Sequence, residues 1–116
     1  MNAPIRQRMR ADLTVAIKSR DAARVTVLRT TLAAIDNAES VDPAYDEVVA
    51  TGLFADVARR RVDEAEIRDI VRQEYDELME TVDTLRRLGP DGPADDLAEQ
   101  ASILASYLGC DEPLTC

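Results

Sequence analysis

The 116-residue sequence contains no histidine and no tryptophan, and aromatic residues make up only 3% of it. Without histidine, the usual base of a Ser-His or Cys-His pair is missing. Lys18 is the only lysine, and it is adjacent in sequence to Ser19. Adjacent residues of a helix do not face each other, so a Ser-Lys pair is not expected either. We therefore expect no catalytic residues and do not expect the chain to be an enzyme by itself.

Cysteines and long apolar runs are also scarce. Cys110 and Cys116 both lie in the last seven residues, where a disulfide would not staple the core. We favour two free thiols, and we expect no metal site and no cofactor. No apolar run approaches the ~18 residues that span a bilayer. A secretory signal has an apolar stretch after its basic start, and the basic start MNAPIRQRMR is not followed by one. The expected location is the cytoplasm.

Charged residues are abundant but unevenly placed. Fourteen basic residues face 23 acidic ones, for a formal net charge of −9. Residues 1–40 hold seven basic and four acidic side chains, whereas residues 41–116 hold seven and nineteen. Indiscriminate nucleic-acid binding needs a broad basic footprint, and the overall acidity argues against it. Any surface that binds an anion is expected in the first third of the chain.

Apolar periodicity predicts two helices in that first third. One is expected over residues 3–19 with Asn2 as its N-cap, and one over residues 22–39 with Asp21 as its N-cap. The short junction between them predicts an antiparallel hairpin. Their apolar stripes step by three or four residues. The predicted stripes are Ile5, Met9, Leu13 and Ile17 in the first helix, and Val25, Leu28, Leu32 and Ile35 in the second.

Two further helices are predicted in the second half. Asp63 and Glu66 form a capping-box pattern at the start of the third helix, and Gly89 followed by proline ends it. The fourth helix is expected to begin near Pro93 and to stop at Gly109. The predicted stripes are Ile67, Val71, Tyr75, Leu78, Val82 and Leu85 in the third helix, and Leu97, Ala101, Leu104 and Leu108 in the fourth.

These elements predict an all-α fold in one domain, residues 1–109, followed by a flexible tail. We expect a four-helix bundle of two antiparallel hairpins. Residues 41–61, between helices two and three, are too apolar for a free linker, and we expect an ordered insertion or flap there. Exposed apolar residues of this flap are candidates for binding a partner. They are Val49, Leu53, Phe54 and Val57.

The cations of the first two helices support two interpretations. In the first, they contact phosphate oxygens of a nucleic acid. In the second, their positive charges offset the negative charges of the acidic helices. Arg29 is treated separately, since it flanks the stripe of helix two as Glu74 flanks that of helix three. A partly buried ion pair between them would fix the pairing of these helices. The candidate nucleic-acid-binding residues are Arg6, Arg10, Lys18, Arg20 and Arg24.

Degenerate helical motifs follow one another in a recognisable order. Residues 12–39 contain AIKSRD, a following LR and AAI.NAE, and residues 62–108 contain a long helix, a glycine turn, DLAEQ and a closing YL. In this order and spacing the chain resembles the GatB/YqeY family. These are small helical proteins similar to the tail of the B subunit of glutamine-dependent aminoacyl-tRNA amidotransferase.

The chain departs from the family pattern in three places. Residues 41–61 stand as an insertion, and Gly109 follows YL where the family usually has proline. The second, smaller helical subdomain with which the family normally continues does not follow. In the amidotransferase subunit this subdomain is part of the tail that helps to engage tRNA.

The resemblance implies a non-catalytic accessory module associated with tRNA or with an amidotransferase complex. Any carbon–nitrogen ligase activity would come by family association only, since the family has no settled catalytic residues to carry over. The alternative is a protein–protein interaction or dimerisation module with no nucleic-acid role. Its partner would be another protein or a second copy of the chain, and no membrane partner is expected in either case.

Overall fold

The computed structural model describes residues 3–40, 61–89 and 91–109. Within these ranges the chain forms four helices and no strand, which confirms the all-α prediction. None of these helices is both long enough and apolar enough to cross a membrane. The predictions for the flap, including Val49, Leu53, Phe54 and Val57, and for the C-terminal tail lie outside the described residues. The helices are α1 (Ile5–Ser19), α2 (Ala22–Ala38), α3 (Glu64–Leu88) and α4 (Asp91–Tyr107).

The start of α1 differs from the prediction. Pro4 occupies the N-cap position and makes no side-chain capping bond, so the assignment of Asn2 as the cap is wrong. The backbone N–H of Ile5 instead donates to Glu64 Oε1 at 2.9 Å. Glu64 lies in the first turn of α3. A carboxylate from a helix distant in sequence therefore satisfies one of the free amides that a helix start leaves exposed.

The connection between α1 and α2 is two residues long. Arg20 adopts the left-handed conformation, with φ 59°, at the C-cap of α1, and the next amide, Asp21 N–H, donates to Ala16 O at 3.0 Å. Asp21 then caps α2 by accepting from the N–H of Arg24 at 3.2 Å. This confirms the N-cap predicted for the second helix. The tight turn directs the chain straight from α1 into α2.

Both ends of α3 follow the sequence signals. Asp63 Oδ1 accepts from the N–H of Glu66 at 2.8 Å, as a helix N-cap should. Gly89 ends the helix, and its N–H donates to Leu85 O at 3.1 Å. α4 begins at Asp91, two residues before the predicted Pro93. These signals are local, so the sequence identifies them without knowledge of the tertiary fold.

All four helices contribute side chains to one core. α2 packs against α1, α3 and α4, while α3 and α4 share the most extensive contact. The predicted stripes supply most of this core, but α2 buries a wider face than the predicted seam because it contacts three helices. Val27 and Thr31 join Leu28 and Ile35 on that face. The fully buried side chains include Met9, Leu28, Thr31, Ile35, Val71, Val82 and Leu104.

The stripe of α1 drifts away from the core along the helix. Ile5 and Met9 are buried, but Ile17 is 48% exposed, and Ala16 is buried in its place. A step of four residues overshoots the helical repeat of 3.6, so successive members rotate around the helix. The prediction that Ile17 belongs to the buried stripe is therefore wrong. Val15, on the same helix, is 64% exposed.

Leu104→Ala should lower the free energy of unfolding by about 3 kcal/mol, because it leaves a cavity in the centre of the core. Leu104 has no exposed surface, whereas Leu88 is 78% exposed. Leu88→Ala, which removes the same atoms, is therefore the matched control and should change stability by less than about 0.5 kcal/mol. Urea unfolding followed by circular dichroism measures both. Equal losses in the two variants would contradict the assignment of Leu104 to the core.

Candidate functional site

The candidate cations lie in two groups, one near each end of α1. Arg6 and Arg10 line a pocket of about 460 Å³ together with Gln7. Arg20 lines a second pocket of about 460 Å³ beside the start of α2. Fourteen helical positions separate Arg6 from Arg20, which corresponds to about 21 Å at ~1.5 Å per residue. The structure thus brings Arg6 and Arg10 to one pocket, and Arg20 lies at another, so the five cations do not form a single cluster.

Arg6 is engaged in the fold. Its Nη2 lies 2.7 Å from Glu39 Oε1, and the two side chains are only 22% and 17% exposed. Glu39 Oε2 also accepts from the N–H of Val62 at 3.3 Å. The end of α2 is thus joined both to the start of α1 and to the residues that precede α3. Arg6 Nε is buried and has no hydrogen-bond partner among the described residues.

The remaining candidates differ in how free their charges are. Arg24 is half-exposed and pairs with Asp21, with 3.3 Å between Nε and Oδ2. Arg10, Lys18 and Arg20 are exposed, and none of them forms an ion pair with a described residue. These three cations can therefore bind an anion without first breaking an internal ion pair.

A cluster between α1 and α4 was not anticipated from the sequence. The hydroxyl of Tyr107 donates to the carboxylate of Asp12, and the Arg8 guanidinium lies 5.2 Å from the centroid of the tyrosine ring. Burial, and then the hydrogen bond to Asp12, raises the pKa of Tyr107 well above its usual range. The phenol stays neutral at physiological pH and ties α4 to α1. The position of Tyr107, three residues after Leu104, is the only signal in the sequence that this side chain is buried.

Arg29 and Glu74 are not brought together. Arg29 is exposed on α2 and forms no ion pair with a described residue. Glu74 lies half-buried on α3 beside Glu77. Burial, followed by hydrogen bonding with and repulsion from Glu77, raises the pKa of Glu74 above 4.5. Arg29 falls outside the face that α2 buries. Arg6, near the start of α1, forms an ion pair with Glu39 at the end of α2 instead.

Glu74 and Glu77 border a third pocket, of about 270 Å³, enclosed by α2, α3 and α4. Its walls are mainly apolar, and Thr31 is among its lining residues. The Thr31 hydroxyl is buried and has no hydrogen-bond partner. Across the described ranges, no group of three acidic or cysteine side chains is arranged to hold a metal ion.

Comparisons with known proteins add no relative from which a function could be transferred. The sequence matches no protein-family model, no curated protein and no solved structure. The resemblance to the GatB/YqeY family therefore stays a prediction that rests on the order of the sequence motifs. The arguments about function that follow rest on the geometry of the described residues together with that prediction.

Arg6→Met should lower the free energy of unfolding by about 1 to 3 kcal/mol, because it removes the guanidinium that lies 2.7 Å from the mostly buried Glu39 carboxylate. This range lies between the small contribution of an exposed pair and the cost of breaking a fully buried one. Arg29→Met makes the same chemical change at an exposed, unpaired position and should stay within about 0.5 kcal/mol. Chemical denaturation of the two variants compares them. A larger loss for Arg29→Met would show that the ion pair is assigned to the wrong arginine.

Glu74→Gln should stabilise the protein at pH 7 by about 0.3 kcal/mol, the usual size of a relieved like-charge pair on a helix. When the pKa of a carboxyl group is raised in the folded state, ionising that group at neutral pH lowers the free energy of unfolding. This loss disappears below the ordinary pKa of 4.5, where the group is protonated in both the folded and the unfolded state. The advantage of the variant should therefore vanish as the pH falls below 4.5. Thermal melts from pH 4 to 8 measure it, with Glu80→Gln on the exposed face of α3 as control. A constant difference across this range would contradict the assignment.

Proposed function

We propose that the chain is a non-catalytic accessory module that contacts the phosphate backbone of tRNA, as the resemblance to the GatB/YqeY family implies. The observation that carries the proposal is the exposure of Arg10, Lys18 and Arg20, unpaired among the described residues, on a protein of net charge −9. In so acidic a chain, cations close to carboxylates are expected to be neutralised by them. These three form no ion pair with a described residue, although Arg20 shares its pocket with Asp21, Asp96 and Glu99, and all three lie on α1 and the turn that follows.

The acidic surface of the rest of the molecule limits how a polyanion approaches. Exposed carboxylates follow the outer face of α3, including Asp69, Glu80 and Asp83. Phosphates are repelled there and attracted to α1, so the charge distribution orients the complex. Contacts to phosphates position a protein on a nucleic acid without reading its sequence. The proposed module therefore holds tRNA in place for a partner such as an amidotransferase and does not select bases itself.

We also propose the two-hairpin arrangement that the sequence predicts, with residues 41–61 as an insertion between the hairpins. The Arg6–Glu39 ion pair supports an antiparallel first hairpin, since it joins the start of α1 to the end of α2. Arg86 Nη2 lies 3.7 Å from Asp95 Oδ1, which joins the end of α3 to the start of α4 and supports the second. The proposed setting is the cytoplasm, where tRNA is found.

A second candidate function is protein–protein interaction or dimerisation. The observation that favours it is the exposure of two apolar side chains, Val15 and Ile17, on the same helix as the free cations. The two candidates differ in their response to salt, because contacts to phosphate weaken as salt rises whereas burial of apolar surface does not.

Fluorescence anisotropy with labelled bulk tRNA at two salt concentrations tests the proposed function. We expect saturable binding that weakens as salt rises, and a weaker salt dependence for the double variant Arg10→Glu with Arg20→Glu. Removing one cation that touches a phosphate should reduce the slope of log K against log salt by about 1. The double variant Arg29→Glu with Arg87→Glu is the matched control, with the same charge change at two exposed arginines away from α1.

Three outcomes would contradict this proposal. The absence of binding at low salt would remove it, and equal weakening in the test and control variants would show that net charge alone governs the interaction. Binding that is insensitive to salt would favour the second candidate and direct attention to Val15 and Ile17.

A further inference from the structure

The pocket between α2, α3 and α4 is apolar on most of its surface. Its volume is about 270 Å³, and its apolar walls are Val27 from α2, Leu78 from α3, and Leu97 and Leu104 from α4. Pockets for drug-sized ligands measure about 300–1,000 Å³. The pocket thus fits a molecule smaller than a typical drug, with an apolar body.

One side of the pocket is polar and acidic. Glu74 and Glu77, three residues apart on α3, both line it, as does Gln100 from α4. No arginine or lysine is among the described residues that line the pocket. Neither carboxylate forms an ion pair with a described residue. Glu74 is half-buried, whereas Glu77 is exposed and accepts from Gln73 Nε2 at 3.3 Å. Burial and the neighbouring Glu77 disfavour the charged form of Glu74, which a bound cation would stabilise.

The floor of the pocket holds an unpaired hydroxyl. Thr31 is fully buried, and its Oγ1 has no hydrogen-bond partner in the part of the chain that the structure describes. A helical threonine ordinarily donates to the carbonyl of the residue three or four positions earlier, and Thr31 does not. A buried polar group without a partner is costly and therefore calls for a functional explanation.

We propose that this pocket binds a small amphiphilic organic cation, that is, a primary ammonium group carried on an apolar body. The apolar body packs against Val27, Leu78 and Leu104. The ammonium group donates hydrogen bonds to the carboxylates of Glu74 and Glu77, with the Thr31 hydroxyl as a further acceptor. An anion of the same size is repelled by the carboxylates, and a neutral apolar molecule leaves them without a counter-charge. This site is separate from the cations of α1 and does not depend on the function proposed for them.

Binding at this site depends on pH. Glu74 and Glu77 are the titratable groups among the lining residues; α2 contributes valine and threonine side chains, and α4 contributes leucines and Gln100. Burial and the neighbouring Glu77 raise the pKa of Glu74 above its ordinary value. A cation competes with the proton of the protonated carboxyl group, so affinity increases as the pH rises through the pKa of Glu74.

The test is a titration with n-hexylamine, followed by the methyl NMR signals of the pocket leucines and valine. Alkylammonium groups resemble the lysine side chain, with a pKa near 10.4, and stay charged at both pH 5 and pH 8. We expect saturable shifts of the Val27, Leu78 and Leu104 methyl signals and tighter binding at pH 8 than at pH 5. Sodium hexanoate should not bind, and 1-hexanol should bind more weakly than the amine at pH 8.

Variants separate the roles of the pocket residues. Glu74→Gln with Glu77→Gln should raise the Kd for n-hexylamine at pH 8 about tenfold and abolish its pH dependence, because removing a charge-assisted hydrogen bond corresponds to roughly tenfold or more. Thr31→Val should weaken binding a few-fold, by about threefold, while thermal stability stays equal or increases. Glu80→Gln, which makes the same change on α3 outside the pocket, is the control and should leave the Kd unchanged.

Each contrary result overturns the proposal. The absence of methyl shifts would show that no such cation enters, and equal affinity for n-hexylamine and 1-hexanol would show an apolar cleft with no cation site. If Glu80→Gln lost as much affinity as the double variant Glu74→Gln with Glu77→Gln, the binding would depend on the overall negative charge of α3 and not on the pocket. None of these outcomes bears on the tRNA proposal, whose residues lie on α1.

Discussion

The structure depends on the burial of one broad face of α2. Leu28, Thr31 and Ile35 are fully buried there, and α2 packs against each of the other three helices. With few aromatic residues available, this core relies on close packing of aliphatic side chains, to which a cavity is costly. The placement of the described candidate residues follows from this packing, since it sets which side of α1, α3 and α4 is left to the solvent.

Polar contacts at the helix ends then fix how the helices join. Glu64 satisfies the first amide of α1, and Glu39 joins Arg6 to the backbone of Val62. Tyr107 and Asp12 tie α4 to α1 from the other side. Each contact joins segments distant in sequence, so together they position α1 and determine which of its cations remain free.

Charge is distributed so that one surface favours an anionic partner and another favours a cationic one. The free cations Arg10, Lys18 and Arg20 lie along α1 and its following turn, on the side proposed for phosphate. Glu74 and Glu77 form an acidic edge on the pocket between α2, α3 and α4, on the side proposed for an organic cation. A net charge of −9 by itself argues against a broad basic surface but does not exclude a local anion-binding one. The local pairing of individual side chains, and not the total charge, decides what each surface attracts.

The sequence by itself determined what depends on neighbours within a few residues. Asp21 and Asp63 were identifiable as helix caps, and Gly89 as a helix end, because capping involves atoms within one helical turn. Most of the apolar stripes were identifiable for the same reason. Only the tertiary structure decided that Ala16 is buried in place of Ile17, that Glu64 caps α1, and that Arg6 pairs across helices while Arg29 does not. These outcomes depend on which helix lies opposite each side chain, and the spacing of residues along one helix holds no information about its neighbours.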